Sequence, residues 1–243
     1  MSLRGQSQTV LLMKYGNVVG LEYLKLFLDR GHRLAAVIFQ GDIFDPKDRW
    51  IVEERTRGRY KPLSLGEAIG ENKVDLYFVK GHNSPECQSL LERLSLDIAL
   101  VGGTDILGEN LLKTARKGFL NCHPGILPDY RGCSCVEWAI YNDDKVGATC
   151  HVVTPKIDRG PVVYAEELSI RLGESYEEVR ARMIPHLARV MLKGYEKFCR
   201  ADWTAGENGS EGKYYKIIGS DKLKVVVEKL ERKTYKHLVS PAQ

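Results

Sequence analysis

An amide, an imidazole and a carboxylate are the groups an acyl-transfer site needs when the nucleophile arrives with the substrate. This chain carries all three within forty residues. Asn121 and His123 open the run Asn121-Cys-His-Pro-Gly-Ile-Leu-Pro-Asp-Tyr-Arg-Gly132, and Asp158 begins Asp158-Arg-Gly160. A side-chain amide aimed at developing oxyanion charge is worth roughly 3 kcal/mol of barrier, and Asn121 can supply it without titrating. His123 can stabilise the same oxygen when protonated or carry protons when neutral. Asp158 can orient the imidazole, bias it toward its charged form, or accept an amine proton through a bound water. No Ser or Cys nucleophile is required, because an attacking amine is itself the nucleophile. His151 closes Gly147-Ala-Thr-Cys-His151, where packing and chemistry are equally good reasons for an imidazole.

Such groups must be held by something stiff. Apolar runs at 9–13, 34–39, 74–79 and 98–101 predict buried strands, and amphipathic spacing at 21–29, 86–94 and 107–115 predicts helices between them. This alternation predicts an α/β fold: a Rossmann-like, mostly parallel sheet with helices on both faces and a short C-terminal extension. Ligands in such sheets bind beyond the carboxyl ends of the strands. A further strand over 120–123 would deliver Asn121 and His123 to that edge, and residues two apart share one face of a strand. Prolines 124 and 128 with glycines 125 and 132 then predict a stiff, turned loop. A helix opened by a Ser134 cap is expected over 134–142, strands over 146–153 and 162–170, and a long helix over 175–201 with a kink or break at Pro185. Residues 1–203 are read as the catalytic domain and 204–243 as the extension. Residues 207–212 are the candidate linker, and 213–218 and 223–227 are candidate short strands or docking segments.

Composition bounds the remaining possibilities. With 243 residues, 43% hydrophobic and 28% charged, the chain can build a packed core. It shows no apolar run long enough to span a bilayer and no signal segment, so the cytoplasm is the expected compartment and no membrane partner is expected. Cysteines 87, 122, 133, 135, 150 and 199 lack metal-ligand spacing, and they read as structural thiols with no metal. Residues 211–243 hold eight Lys/Arg against four Asp/Glu. That tail is basic but too dilute for a nucleic-acid arm.

The Asn-x-His-Pro run, the Tyr-Arg-Gly loop, Gly147–His151 and Asp-x-Gly together resemble the folate-dependent formyltransferase family, most closely its short sugar-nucleotide N-formyltransferases. The likeness runs from about residue 74 to 170. It implies N10-formyltetrahydrofolate as co-substrate and Asn121, His123 and Asp158 as catalytic residues. By position it implies a folate pocket built from Gly103, Thr104, Asp105, Ile106 and Leu107 and from Asn142, Asp143, Asp144, Lys145 and Val146. Two departures stand out: Gly125 occupies a common Ser position, and residues 103–107 lack the usual Tyr-Gly-x-Ile-Leu-Pro wording. Relatives acting on methionyl-tRNA carry a C-terminal barrel, for which the 40 residues after Trp203 are short. Hydrolases of the family carry an N-terminal regulatory domain that a first strand near Thr9 leaves no room for. The expected acceptor is therefore a nucleotide-linked amino sugar, met by Lys14, Lys80, Asn83, Tyr130, Arg131 and Tyr214, in a possible homodimer. Glycinamide ribonucleotide, an amino acid or a hydroxylamine as acceptor, formyl transfer to water, and a non-catalytic folate binder are the alternatives.

Overall fold

Strands covered by helices on both faces must be apolar on both, and the central strands of this protein are. The computed structural model describes residues 7–204 and 212–240, so the expected linker falls mostly outside the described residues. The chain runs β1 (Thr9–Lys14), α1 (Val18–Asp29), β2 (Ala36–Gln40), α2 (Lys47–Thr56), α3 (Leu65–Ile69), β3 (Asp75–Val79), α4 (Pro85–Arg93), β4 (Ile98–Val101), α5 (Glu109–Leu112) and β5 (Gly118–His123). It continues through β6 (Tyr130–Gly132), α6 (Cys135–Asn142), β7 (Gly147–Val152), β8 (Val162–Glu167), β9 (Ile170–Arg171), α7 (Tyr176–Cys199), β10 (Lys213–Tyr215), α8 (Ser220–Glu231) and β11 (Leu238–Val239).

Seven strands form the main sheet in the order β3-β2-β1-β4-β5-β7-β8. The first five are parallel, while β7 is antiparallel to β5 and β8 to β7. Alternation along β1 divides the core in two. Leu11 and Met13 join the larger cluster beneath α1 and α7, and Val10 and Leu12 join the smaller one with Leu90 and Leu91 of α4. Gly194 lets α7 lie directly on β7: a Cβ there would fall 2.4 Å from Cys150 Sγ.

Four local expectations are corrected by this frame. The 74–79 segment is the sheet's edge strand, with Leu76 and Phe78 exposed, rather than a buried one. Pro185 does not break its helix, since α7 runs on for 24 residues behind a Ser175–Glu178 capping box. Ser134 is the N-cap of α6 but lies in the left-handed region and makes no side-chain cap bond; its Oγ accepts the Ile218 N–H. Residues 223–227 form no strand but serve as the docking alternative, within helix α8, whose apolar face packs on α6 and buries Val226 and Leu230. Helices α2 and α3 are further elements that the apolar pattern did not signal. The C-terminal segment wraps the same body: β10 extends β6 in parallel, and β11 pairs with β9. Among the described residues no helix is long and apolar enough to cross a membrane.

Candidate active site

Strand β5 ends at the sheet's carboxyl edge with Asn121 and His123 on one face. On one side Asn121 lies opposite Val101 of β4, and on the other it lies opposite His151 of β7. The backbone beyond β5 is pinned by Thr149, whose hydroxyl donates to the Gly125 carbonyl (2.8 Å) and accepts from the Leu127 N–H (3.1 Å). The loop then returns as β6. Here the Gly132 N–H donates to Asp158 Oδ2 at 3.0 Å, drawing the carboxylate in from the β7–β8 connection. Asp158 holds a left-handed backbone, φ 51°, to reach this position.

The hydrogen-bond network fixes which nitrogen carries each proton. His151 Nδ1–H donates to the Val152 carbonyl (3.0 Å), so its Nε2 lone pair accepts from Asn121 Nδ2 (3.2 Å). The Asn121 amide is thereby oriented, with one N–H engaged and one remaining. His123 Nε2–H donates to the Tyr130 carbonyl at 2.8 Å, turning Nδ1 toward Asp158 Oδ2 at 3.5 Å. The other Asp158 oxygen lies 3.7 Å from His151 Nε2. Burial lowers the pKa of both imidazoles, with Asp158 pulling in the opposite direction; that of His151 falls to about 4. Both rings are therefore neutral near pH 7, and His123 can gain a proton only while Asp158 compensates it.

Two cavities meet at this cluster, sharing Val101, Gly103 and Asn121. The first, of about 240 Å³, lies between residues 103–107 and 153–158 and also touches His151. The second, of about 300 Å³, touches His123 and Pro124 and extends under α2 and α7. Gly103 forms their partition because nothing larger fits: its φ is +86°, and a Cβ would fall 2.1 Å from Nδ2 of Asn17, the N-cap of α1.

This arrangement sorts the residues expected from sequence. Asn121, His123 and Asp158 converge, and Gly103, Thr104, Asp105, Ile106 and Leu107 line the first cavity. The second expected folate segment does not. Asn142 donates to the Tyr130 and Tyr215 hydroxyls, Asp143 pairs with Lys229, and Asp144 takes the Tyr130 hydroxyl on its carboxylate and that of Tyr235 on its carbonyl. Lys145 pairs with Glu167, and Val146 is buried. That loop seats the C-terminal segment, because the left-handed Asp143 ends α6 and leaves carbonyls that Lys229 satisfies. The wall opposite 103–107 is instead 153–158, the segment that carries Asp158 itself.

None of Lys14, Lys80, Asn83, Tyr130, Arg131 and Tyr214 lines either cavity. Lys14 pairs with Asp105 at 2.6 Å, and the Asn83 amide braces the 103–107 loop through the Ile106 carbonyl and the Gly108 N–H. Tyr130 is buried in a stack with Tyr215, Arg131 is buried, and Lys80 and Tyr214 are exposed. The second cavity uses Asp48, Arg55, Thr56 and Arg180 instead. The only sequence signal for the first three is their i, i+7, i+8 spacing on a very polar helix.

Comparison with known proteins fits the same geometry. A family model described as formyl transferase matches residues 42–193, which include all four site residues and the whole lining of the first cavity. The chain belongs to the formyl transferase family. The methionyl-tRNA formyltransferase of Thermotoga maritima is 27% identical over 180 residues, covering 72% of this chain and 54% of that protein. The chain thus spans about half the length of the curated relatives it matches. Among solved structures, a sugar N-formyltransferase from a Shewanella species aligns with a TM-score of 0.60 at 13% identity, over 91% of this chain and 86% of that one. Glycinamide ribonucleotide transformylase 1 from Symbiobacterium toebii aligns with a TM-score of 0.59 at 20% identity, over 90% and 98%. These likenesses show the formyltransferase fold. His151 is the site residue whose partner sequence reasoning left open, and its register opposite Asn121 supplies the answer.

Proposed function

We propose that the protein transfers a formyl group from N10-formyltetrahydrofolate to the amine of a small acceptor. One observation carries the reading: the Asn121 amide, oriented by a neutral His151, stands where two cavities meet, with His123 and Asp158 beside it. The first cavity suits a flat heterocycle. Its walls are Val101, Leu107 and Val153, and Ile106 and Ile157 stand on its rim 68% and 46% exposed, where a bound ring would cover them. The acceptor amine would then approach from the second cavity.

In the step, the amine nitrogen bonds to the formyl carbon, and the bond from that carbon to N10 breaks. The free N–H of Asn121 donates to the formyl oxygen as charge develops on it. Asp158 receives the amine proton directly or through water and passes it to the facing Nδ1 of His123, whose imidazole, so charged, stabilises the same oxygen and relays that proton to the leaving N10. The products are the formamide and tetrahydrofolate, with no net proton or electron gained.

A nucleotide-linked amino sugar is one acceptor of this class, and the sugar N-formyltransferase fold is its support. An aminoacyl group is a second, supported by the methionyl-tRNA formyltransferases among the sequence relatives. The test is formyl loss from N10-formyltetrahydrofolate with and without nucleotide-linked amino sugars, small amino acids and methionyl-tRNA, followed by mass spectrometry. Amine-dependent formamide formation is the expected result. Equal loss without any amine would replace transferase by hydrolase, and no binding of the folate would overturn the reading.

A further inference from the structure

Resting on that reading, we infer that the second cavity selects a small zwitterionic acceptor: an amine at one end, an apolar body, and a carboxylate or phosphate at the other. The cavity is polarised end to end. Asp48 stands at the mouth of α1, its carboxylate accepting the Val18 N–H at 2.7 Å beside Asn17, which abuts Gly103. Arg55 stands seven residues further along α2, roughly 10 Å away at the helical rise, and Arg180 reaches the same end from α7. Between them the lining is apolar, with Ile51, Val52, Ile184 and Leu187.

The cationic end holds two buried polar groups without a hydrogen bond. Thr56 lines the cavity and is 1% exposed, and its buried hydroxyl has no hydrogen-bond partner. Arg180 Nε is buried and also lacks one; the nearest carboxylate oxygen, on Glu137, is 3.7 Å away. Buried donors are seldom left so in native proteins. Glu137 does not fill the role. It lies behind the cavity, takes the Tyr176 hydroxyl at 2.7 Å, and offsets only one of two guanidinium charges. An oxyanion would accept from the Thr56 hydroxyl and Arg180 together and face Arg55. The anionic end meanwhile places an ammonium group near Asp48, next to the partition where Asn121 stands.

The experiment measures binding by calorimetry, with tetrahydrofolate present, of ω-amino carboxylates of four to seven carbons. The comparison probes are ω-aminoalkyl phosphates and n-alkylamines of equal length. Formyl transfer to each is followed in parallel. At least one anionic series should bind about tenfold or more tightly than its alkylamine, and the better series names the anion. Arg55→Met should erase that ratio while leaving tetrahydrofolate affinity unchanged. Thr56→Val, which removes an unbonded hydroxyl and so spares the fold, should reduce it. Equal binding of alkylamines, no binding of any probe, or an unchanged ratio in Arg55→Met would overturn the inference. Formyl transfer to neutral and anionic amines alike would overturn it and leave the transfer reading standing. Charge-selective binding without transfer to any amine would do the reverse.

Discussion

Replacing Asn121 by Ala should separate chemistry from folding. The side chain has two N–H groups, one held by His151 Nε2 at 3.2 Å and one free at the meeting of the cavities. Loss of an oxyanion donor costs about 10²–10³ in turnover, or about 3–4 kcal/mol. Loss of the other bond leaves a buried imidazole nitrogen unpaired and lowers stability by about 1 kcal/mol. The first effect is several times the second, so tetrahydrofolate binding should survive while formyl transfer does not. If His151 acts by orienting that amide, His151→Leu should slow transfer about ten- to hundredfold. Asn121→Ala combined with His151→Leu should be no slower than Asn121→Ala alone, within about threefold, because nothing would remain to orient. Single-turnover transfer to the best acceptor, with tetrahydrofolate titrations of each variant, gives the cycle. Asn121→Ala within tenfold of the parent would refute the oxyanion assignment. Multiplicative losses in the double variant would refute the positioning role of His151.

The remaining predictions concern the scaffold. The His151 pKa falls from 6.5 unfolded to about 4 folded, so the unfolded chain binds the extra proton first. Stability is therefore present above pH 6.5 and falls as pH drops toward 4, by about 3 kcal/mol; urea midpoints should show this slope, and His151→Leu should make it shallower, the remainder coming from His82, His123 and His186, which burial also lowers. Gly194→Ala gains up to about 1 kcal/mol in helix propensity, but its Cβ would fall 2.4 Å from Cys150 Sγ. Overpacking of about 1–3 kcal/mol should prevail, and a raised denaturation midpoint would contradict the close approach of α7. Lys229→Met removes three bonds that hold α8 to the end of α6. Amide exchange in α8 should accelerate at least about tenfold, with unchanged exchange placing the docking energy elsewhere.

What could be read in the sequence follows from which physical signal each residue carries. The strands β1, β2 and β4 are apolar on both faces, so their runs stand out. Asn121 and His123 share a face by strand parity, and Asp158 sits at the turn that must return to them. The expected folate wall at 142–146 went astray because two polar loops, one on each side of β7, present similar composition. The antiparallel direction of β7 even puts 142–146 beside the carboxyl end of β5, and only the return of the β7–β8 connection over β5 brings 153–158 into the site. Helix α2 escaped because it buries little apolar surface: of its ten residues only Thr56 is buried. Its function-bearing spacing is therefore polar, and hydrophobic periodicity is blind to it. The residues expected to meet the acceptor stay outside both cavities for a related reason. Lys14, Asn83 and Tyr130 have the right types for ligand contacts, but each is already bonded within the protein.

The reversal of β7 also explains why the cluster of Asn121, His123, His151 and Asp158 forms at all. In a purely parallel continuation, the strand beside β5 would return through a helix and bring its own carboxyl-edge loop. Instead β7 runs against β5 and sets Asn121 opposite His151 and His123 opposite Thr149. Directly opposed side chains on adjacent strands lie about 5 Å apart, which is why His151 can hold the Asn121 amide. The pairing of β7 with β8 then slips between Cys150 and His151. Such irregularities re-aim the chain, and here the connection that follows swings Asp158 back over β5, where Gly132 captures it. A one-residue shift of β7 against β5 would turn His151 to the opposite face, leaving Asn121 free to rotate and Asp158 out of reach of both imidazoles. The chemistry is thus a property of register as much as of residue type.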